Sequence, residues 1–308
     1  MKKLVLACLI SLLTLSTAYA RDFKKMGITL GSLGNPFFVT MVKGATAKAK
    51  EYNPDVEVIA LSADYDLNKQ FTQIDNFIAA GVDMILINAV DPNAIEPAIK
   101  RAQKEGIPVI AVDVKAKGAD ATVQTNNVQA GEIACQYIID KIGEKGEVII
   151  QNGPQVSAVT DRVDGCKNVL SKYPDIKILS DDQDAKGSRD GGLNVMQGHL
   201  TRFPKIDAVF AINDPQAIGA DLACKQLKRD EMIITSVDGA PDIEAALKGN
   251  TLIVASASQD PWSMAQKGVD VGVELLEGKK LESDMILMPS TLVTRDNIKD
   301  YKGWSSPR

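Results

Sequence analysis

The sequence predicts an α/β fold, and two features carry that prediction. Short apolar runs recur along nearly the whole chain, separated by segments whose apolar residues fall at helical spacing and which often end in Gly. Such alternation builds parallel sheets with helices on both faces. The runs also form two comparable series, which predicts two lobes with a cleft between them.

The chain opens MKKLVLACLISLLTLSTAYA: Lys2 and Lys3, an apolar stretch from Leu4 to Leu15, then Ala18-Tyr19-Ala20 in the small-x-small form of a cleavage site. This is the layout of a secretory signal peptide over residues 1–20. The apolar stretch is shorter than the roughly 20 residues that span a bilayer. Lipid attachment at Cys8 is disfavoured because LVLAC places only four apolar residues before the Cys. The mature chain is expected to start at Arg21.

Removing 20 of 308 residues leaves 288, and losing Lys2 and Lys3 takes the formal charge from -5 to -7. A mildly acidic exported chain has no basic footprint for nucleic acid or anionic lipid. Its length suits two domains better than one. Three cysteines remain, Cys135, Cys166 and Cys224. Cys135 and Cys166 fall on the first helices of consecutive units, so the two readings are a bridge between neighbouring helices or buried free thiols.

The predicted strands are, in order, MGITL, VEVIAL, MILINAV, IPVIAVDV, EVIIQNG, IKILSDD, AVFAIND, IITSVDG and LIVASASQ. Four strand-helix units occupy about 21–114, ATVQTNNVQAGEIACQYI makes a transition, and comparable units resume near Glu147. No Pro/Ser-rich linker separates the halves, so ordered segments are expected to join them.

In open α/β sheets, ligands bind beyond the carboxyl ends of the strands. The residues there are Asn35, Asn88, Asp113, Asn152, Asn213, Asp214, Asp238 and Gln259. Any one of them could be a helix cap or turn former. Capping does not explain why amides and carboxylates dominate the set while Ser and Thr are scarce. A concave site lined this way suits a neutral ligand with many hydroxyls. Arg162, at the start of a helix in the second half, offers a planar fork for two adjacent hydroxyl oxygens; its alternative is a surface ion pair with Asp161 or Asp164.

The stretch GNPFFVTM sets Asn35 and Pro36 where a helix begins. Phe37 and Phe38 then point about 100° apart around the helix axis. One ring can meet the C–H face of a sugar while the other meets core; the alternative places both in the core.

The chain resembles the periplasmic ribose-binding-protein-like receptors of ABC importers over essentially its whole mature length. The landmarks are NPFF at 35–38, AAGVDMILINAVDPNAI at 79–95, EGIPVIAVD ending at Asp113, GLNVMQ at 192–197, AVFAINDPQAIGA at 208–220 and VDGAPD at 237–242. The resemblance implies two Rossmann-like lobes, 21–125 with 259–287 and 126–258 with 288–308, joined by a three-segment hinge near 125, 258 and 288. It implies a sugar, cyclitol or polyol held by Asn35, Phe37, Phe38, Asp113, Arg162, Asn213, Asp238 and Gln259. It further implies a monomeric periplasmic receptor that delivers its ligand to an inner-membrane permease, with no cofactor or metal. Three positions depart from ribose receptors: Val114 replaces an Arg, Gly187 an aromatic, and Val237 another aromatic. A different pentose, a hexose, a cyclitol such as myo-inositol, or a polyol is therefore compatible.

Three other functions stand beside this reading. An enzyme is disfavoured: His199 is the one histidine and is expected on a helix surface, and G-x-S-x-G, metal spacing and G-x-G-x-x-G are absent. DDQD at 181–184 lacks the spacing and closing Glu of a calcium loop. A sugar-responsive repressor would need a DNA-binding module before the first strand. A receptor serving a chemotaxis transducer would use the same site.

Overall fold

The structure, a computed structural model, describes residues 23–304. The signal peptide expected over 1–20 lies outside the described residues. Two six-stranded sheets, each covered by helices, form two α/β lobes.

The first sheet draws on β1 (Lys25–Leu30), β2 (Glu57–Ser62), β3 (Met84–Ile87), β4 (Val109–Val112), β5 (Ala121–Thr125) and β11 (Met285–Met288), in the order β11-β5-β4-β3-β1-β2. All its pairings are parallel. Alternate residues of a strand face opposite sides of the sheet. Met84 and Leu86 therefore join one core with α1 (Pro36–Tyr52) and α9 (Pro261–Leu276). Ile85 and Ile87 join another with α2 (Leu67–Ala79) and α3 (Glu96–Lys104). Burial on both faces is why these strands read as continuous apolar runs.

The second sheet holds β6 (Lys145–Gln151), β7 (Asp175–Ser180), β8 (Ala208–Ala211), β9 (Ile233–Asp238), β10 (Ile253–Ser258) and β12 (Thr291–Thr294), in the order β12-β10-β9-β8-β6-β7. Only β12 runs antiparallel, on β10. One face packs against α4 (Asn127–Ile142) and α5 (Ser157–Leu170), the other against α6 (Arg189–Arg202), α7 (Asp214–Leu227) and α8 (Pro241–Lys248). A disulfide joins Cys135 of α4 to Cys166 of α5, and Cys224 is a buried free thiol.

The chain passes between the sheets from β5 to α4, from β10 to α9 and from β11 to β12. These passages are tied to one another. Asn126 N donates to Met288 O at 2.7 Å, Ser290 Oγ to Ser258 O at 2.8 Å, and Ser290 N to Gln129 Oε1 at 3.0 Å.

Three features differ from the sequence expectation. No helix follows β4; its place against β3, β4 and β5 is taken by α9, which arrives after the second passage. The transition segment splits into β5 and α4, and MILM and TLVT form β11 and β12. The tail expected to belong with the second lobe is not confined to it: Ile298 is in that lobe's core, but Trp304 packs into the first lobe's core. No helix among the described residues is long and apolar enough to cross a membrane.

Candidate functional site

A cavity of about 540 Å³ lies between the lobes, at the carboxyl ends of both sheets. Its lining includes all eight residues singled out in the sequence: Asn35, Phe37, Phe38, Asp113, Arg162, Asn213, Asp238 and Gln259. Asn152 and Asp214, also at strand ends, do not line it. Asn152 is spent on local turns, donating to Asp181 O at 2.8 Å and accepting from Gly153 N at 2.8 Å.

The hydrogen bonds sort the eight residues by what they leave unshared. Asn35 caps α1 through Oδ1, which accepts from Phe37 N at 2.9 Å, and keeps Nδ2 for the cavity. Asp113 accepts from Asn88 Nδ2 through Oδ2 at 3.0 Å and keeps Oδ1. Asp238 accepts from Gln259 through Oδ1 at 2.7 Å, and the Asp214 backbone also hydrogen-bonds this carboxylate. Arg162 donates from Nε to Asn127 Oδ1 at 2.9 Å and from Nη1 to Ile212 O at 2.8 Å, which leaves Nη2.

Asn213 and Gln259 are instead committed at both ends. Asn213 caps α7 by accepting from Gln216 N at 3.0 Å and donates to Gly187 O at 2.9 Å. Gln259 joins Asp238 to Thr125, whose hydroxyl donates to Oε1 at 2.7 Å. They hold the cavity's shape, whereas Asn35, Asp113, Asp238 and Arg162 present polar atoms to it.

Arg162 is 5% exposed, so the alternative surface ion pair does not form. Asp161 faces Lys115 instead, at 3.6 Å, and Arg162 lies 3.5 Å from Asp238 Oδ1. Phe37 and Phe38 are each 6% exposed and meet edge to face, with centroids 5.5 Å apart. Both belong to the first lobe's core, as the second alternative has it, and both also line the cavity.

Burial governs the acids. It pushes Asp113 up to about 6; Arg162 opposes the shift and the Asp238 charge adds to it. Asp238 is likewise raised by burial, against the pull of Arg162 and Gln259. Asp214, fully buried, is pushed up to about 8 by burial and by Asp238. It accepts from Ser236 Oγ at 2.5 Å, Ser256 Oγ at 2.7 Å and Ala240 N at 2.8 Å, and so anchors the turn that carries Asp238.

Backbone strain gathers here too. Six non-glycine residues hold positive φ among the described residues, and four of them, Tyr65, Asp113, Lys186 and Asp238, line the cavity. Such conformations persist where the surroundings impose them, and they cluster at functional sites.

Tyr65, Asn88, Pro154, Lys186 and Ser188 also line the cavity. Asn88 was visible as a strand-end amide. Tyr65 had a signal as well, an isolated aromatic in the polar turn SADYDLNK beyond β2. Lys186 had none, because its position depends on a loop tied down by Asn213 and Gln216. Of the departures from ribose receptors, Val114 and Gly187 line the cavity, and Val237 is fully buried in the second lobe's core. Gly187 has φ 61, so an aromatic on this loop path would be strained. His199 sits on α6 but is only 4% exposed, packed against Phe203 with its Nε2 unpaired, rather than on the helix surface as expected.

Comparison with known proteins agrees with this architecture. The chain is 34% identical over 260 residues to the ribose import binding protein RbsB of Bacillus subtilis, covering 83% of each chain. It is 33% identical over 288 residues to the xylitol-binding protein of Mycolicibacterium smegmatis, covering 92% of this chain and 80% of that one. Among solved structures, a periplasmic solute binding protein of an ABC transporter from Actinobacillus succinogenes, with bound D-allose, superposes with TM-score 0.84 at 26% identity, covering 90% of this chain and 100% of that one. Residues 26–280 match the periplasmic binding protein domain, and the chain belongs to that family.

Proposed function

We propose that this protein is the periplasmic receptor of an ABC importer for an uncharged monosaccharide, cyclitol or polyol. The observation that carries this reading is the interlobe cavity, lined by the carboxylates of Asp113 and Asp238, the Asn35 amide and the Arg162 guanidinium beside two phenylalanine rings. Carboxylates accept hydroxyl protons, the guanidinium donates to oxygens, and the rings cover C–H surface where no hydrogen bond is possible. Two carboxylates disfavour an anionic ligand, and the guanidinium disfavours a cationic one.

Asp113 follows β4 of the first lobe, and Asp238 ends β9 of the second. A ligand that bonds both is held best when the lobes meet, which is all that closure requires. Micromolar affinity is about 8 kcal/mol, and a hydrogen bond to a charged group contributes about 1.5–3 kcal/mol. Three charged groups and an amide reach that range after the cost of ordering. The closed complex would then be presented to a membrane permease, and the relatives, named as binding proteins, support a role without catalysis.

The test is a thermal-shift screen of residues 21–308 against D-ribose, D-allose, xylitol, myo-inositol and a wider panel of hexoses and polyols. At least one compound should raise Tm in a concentration-dependent way and be recovered unchanged. A panel without a single shift, or chemical turnover of a bound sugar, would overturn the proposal.

A further inference from the structure

The tail beyond β12 runs behind the cleft and touches both lobes. Ile298 is buried in the second lobe's core, and Tyr301 packs beside it. The Tyr301 hydroxyl donates to Gly239 O at 2.8 Å, immediately after Asp238. Gly239 has φ 71, and a Cβ there would come within 2.3 Å of that hydroxyl, so the turn bearing Asp238 fits the tyrosine only as glycine. Three residues on, Trp304 is 8% exposed within the first lobe's core. Its ring meets Phe37 at 5.4 Å and 66°, and its Nε1 donates to Gln259 O at 3.0 Å.

These contacts share one target. Phe37 and Gln259 line the cavity, and Gly239 adjoins Asp238, which also lines it. They belong to a first-lobe helix, an interlobe passage and a second-lobe strand end, yet one short stretch of tail reaches all three. We propose that residues 298–304 form a strap that organises the binding site from behind, with Tyr301 and Trp304 as positioning residues. Trp304 fixes the face that Phe37 turns to the ligand and the peptide from which Gln259 reaches Asp238. Tyr301 fixes the turn that aims Asp238. The inference rests on the sugar-receptor reading above.

The test uses Tyr301→Phe, which removes only the hydroxyl, Trp304→Phe, which keeps a ring but loses the N–H, and Trp304→Ala. Kd is measured by titration calorimetry with whichever compound of the thermal-shift panel (D-ribose, D-allose, xylitol, myo-inositol and the further hexoses and polyols) shifts the wild-type Tm most, and circular dichroism checks the fold. Each conservative variant should weaken binding about 5-fold, the size of one neutral hydrogen bond. Trp304→Ala should weaken it further, and clearly less so when Phe37→Ala is already present, because partners acting through one contact are non-additive. A second readout uses Trp262→Phe, which leaves Trp304 as the single tryptophan; its emission should change on adding ligand.

Binding within twofold of wild type for both conservative variants, or full additivity with Phe37→Ala, would overturn the strap while leaving the receptor reading intact. Failure of the wild-type protein to bind any compound of the thermal-shift panel would remove both. Should Trp304→Ala not fold, the two conservative variants still decide the matter.

Discussion

Gln259 donates from Nε2 to Asp238 Oδ1 at 2.7 Å. Its Oε1 accepts from the Thr125 hydroxyl at 2.7 Å, and Asn127 Nδ2 donates to Thr125 O at 3.1 Å. Asn127 in turn holds Arg162. A chain of hydrogen bonds therefore runs from a carboxylate in the cavity, through two passages between the lobes, to the guanidinium in the same cavity. Where the hinge residues go, the binding groups follow.

Gln259→Leu breaks this chain and strands the Thr125 hydroxyl and an Asp238 oxygen in a buried region. The expected result is a loss of about 1–3 kcal/mol of stability and weaker ligand binding, measured by thermal melting and calorimetry. Gln259→Glu keeps an acceptor for Thr125 but sets a second carboxylate against Asp238, so it should also bind weakly, and less so at acid pH. Full affinity in both variants would show that the relay does not shape the site.

Asp113 has a pKa near 6 in the folded chain, against about 3.9 when unfolded. The folded state therefore holds this proton more tightly. The contribution to stability is fully present below the unfolded value and is lost as pH rises through the folded one. Ligand binding runs the other way, because an ionised Asp113 is the better acceptor for a hydroxyl. Affinity should fall as pH drops below about 6. Asp113→Asn should flatten the pH dependence of ligand-free stability, raise the Tm of the ligand-free protein at pH 8, and abolish the ligand-induced shift. Melting curves from pH 4 to 8, with and without ligand, check all three.

The same carboxylates show what the sequence could and could not convey. Asp113 and Asp238 were legible because strands buried on both faces read as unbroken apolar runs, so the first polar residue beyond each run marks the sheet's ligand-binding edge. That rule also selected Asp214 but could not say that its carboxylate turns inward to two serines. Lys186 escaped because its loop takes its path from distant amides at Asn213 and Gln216. The separate origin of α9 escaped for a similar reason: helical spacing reveals an apolar face but not which sheet that face covers. Short β5, β11 and β12 lie at passages between sheets, where neighbours rather than their own pattern make them strands.

The Cys135–Cys166 bridge spans a sequence separation of 31 residues and joins two helices of one layer. Closing a loop of that length in the unfolded chain corresponds to about 3–4 kcal/mol. The double variant Cys135→Ala/Cys166→Ala should melt lower by that equivalent while retaining ligand binding, because neither sulfur lines the cavity. Cys224 is buried, and burial pushes its thiol up to about 12. It should resist thiol reagents until the protein unfolds, which a timed labelling assay in native and denaturing buffer would show.

Val114 is 5% exposed and clusters with Ala89 and Ala116 of its own lobe and with Ala158 at the start of α5 in the other. An apolar seam thus crosses the cleft at the position where the sequence departs from ribose receptors. Val114→Arg would force a long charged side chain into that seam. Overpacking alone costs about 1–3 kcal/mol, and an incompletely paired buried charge adds to it. The expected outcome is a lower Tm in the ligand-free protein with no gain in D-ribose affinity, because Gly187 still presents no ring. If Val114→Arg instead acquired tight D-ribose binding, ligand choice would reside in this one side chain, and the seam across the lobes would be incidental to it.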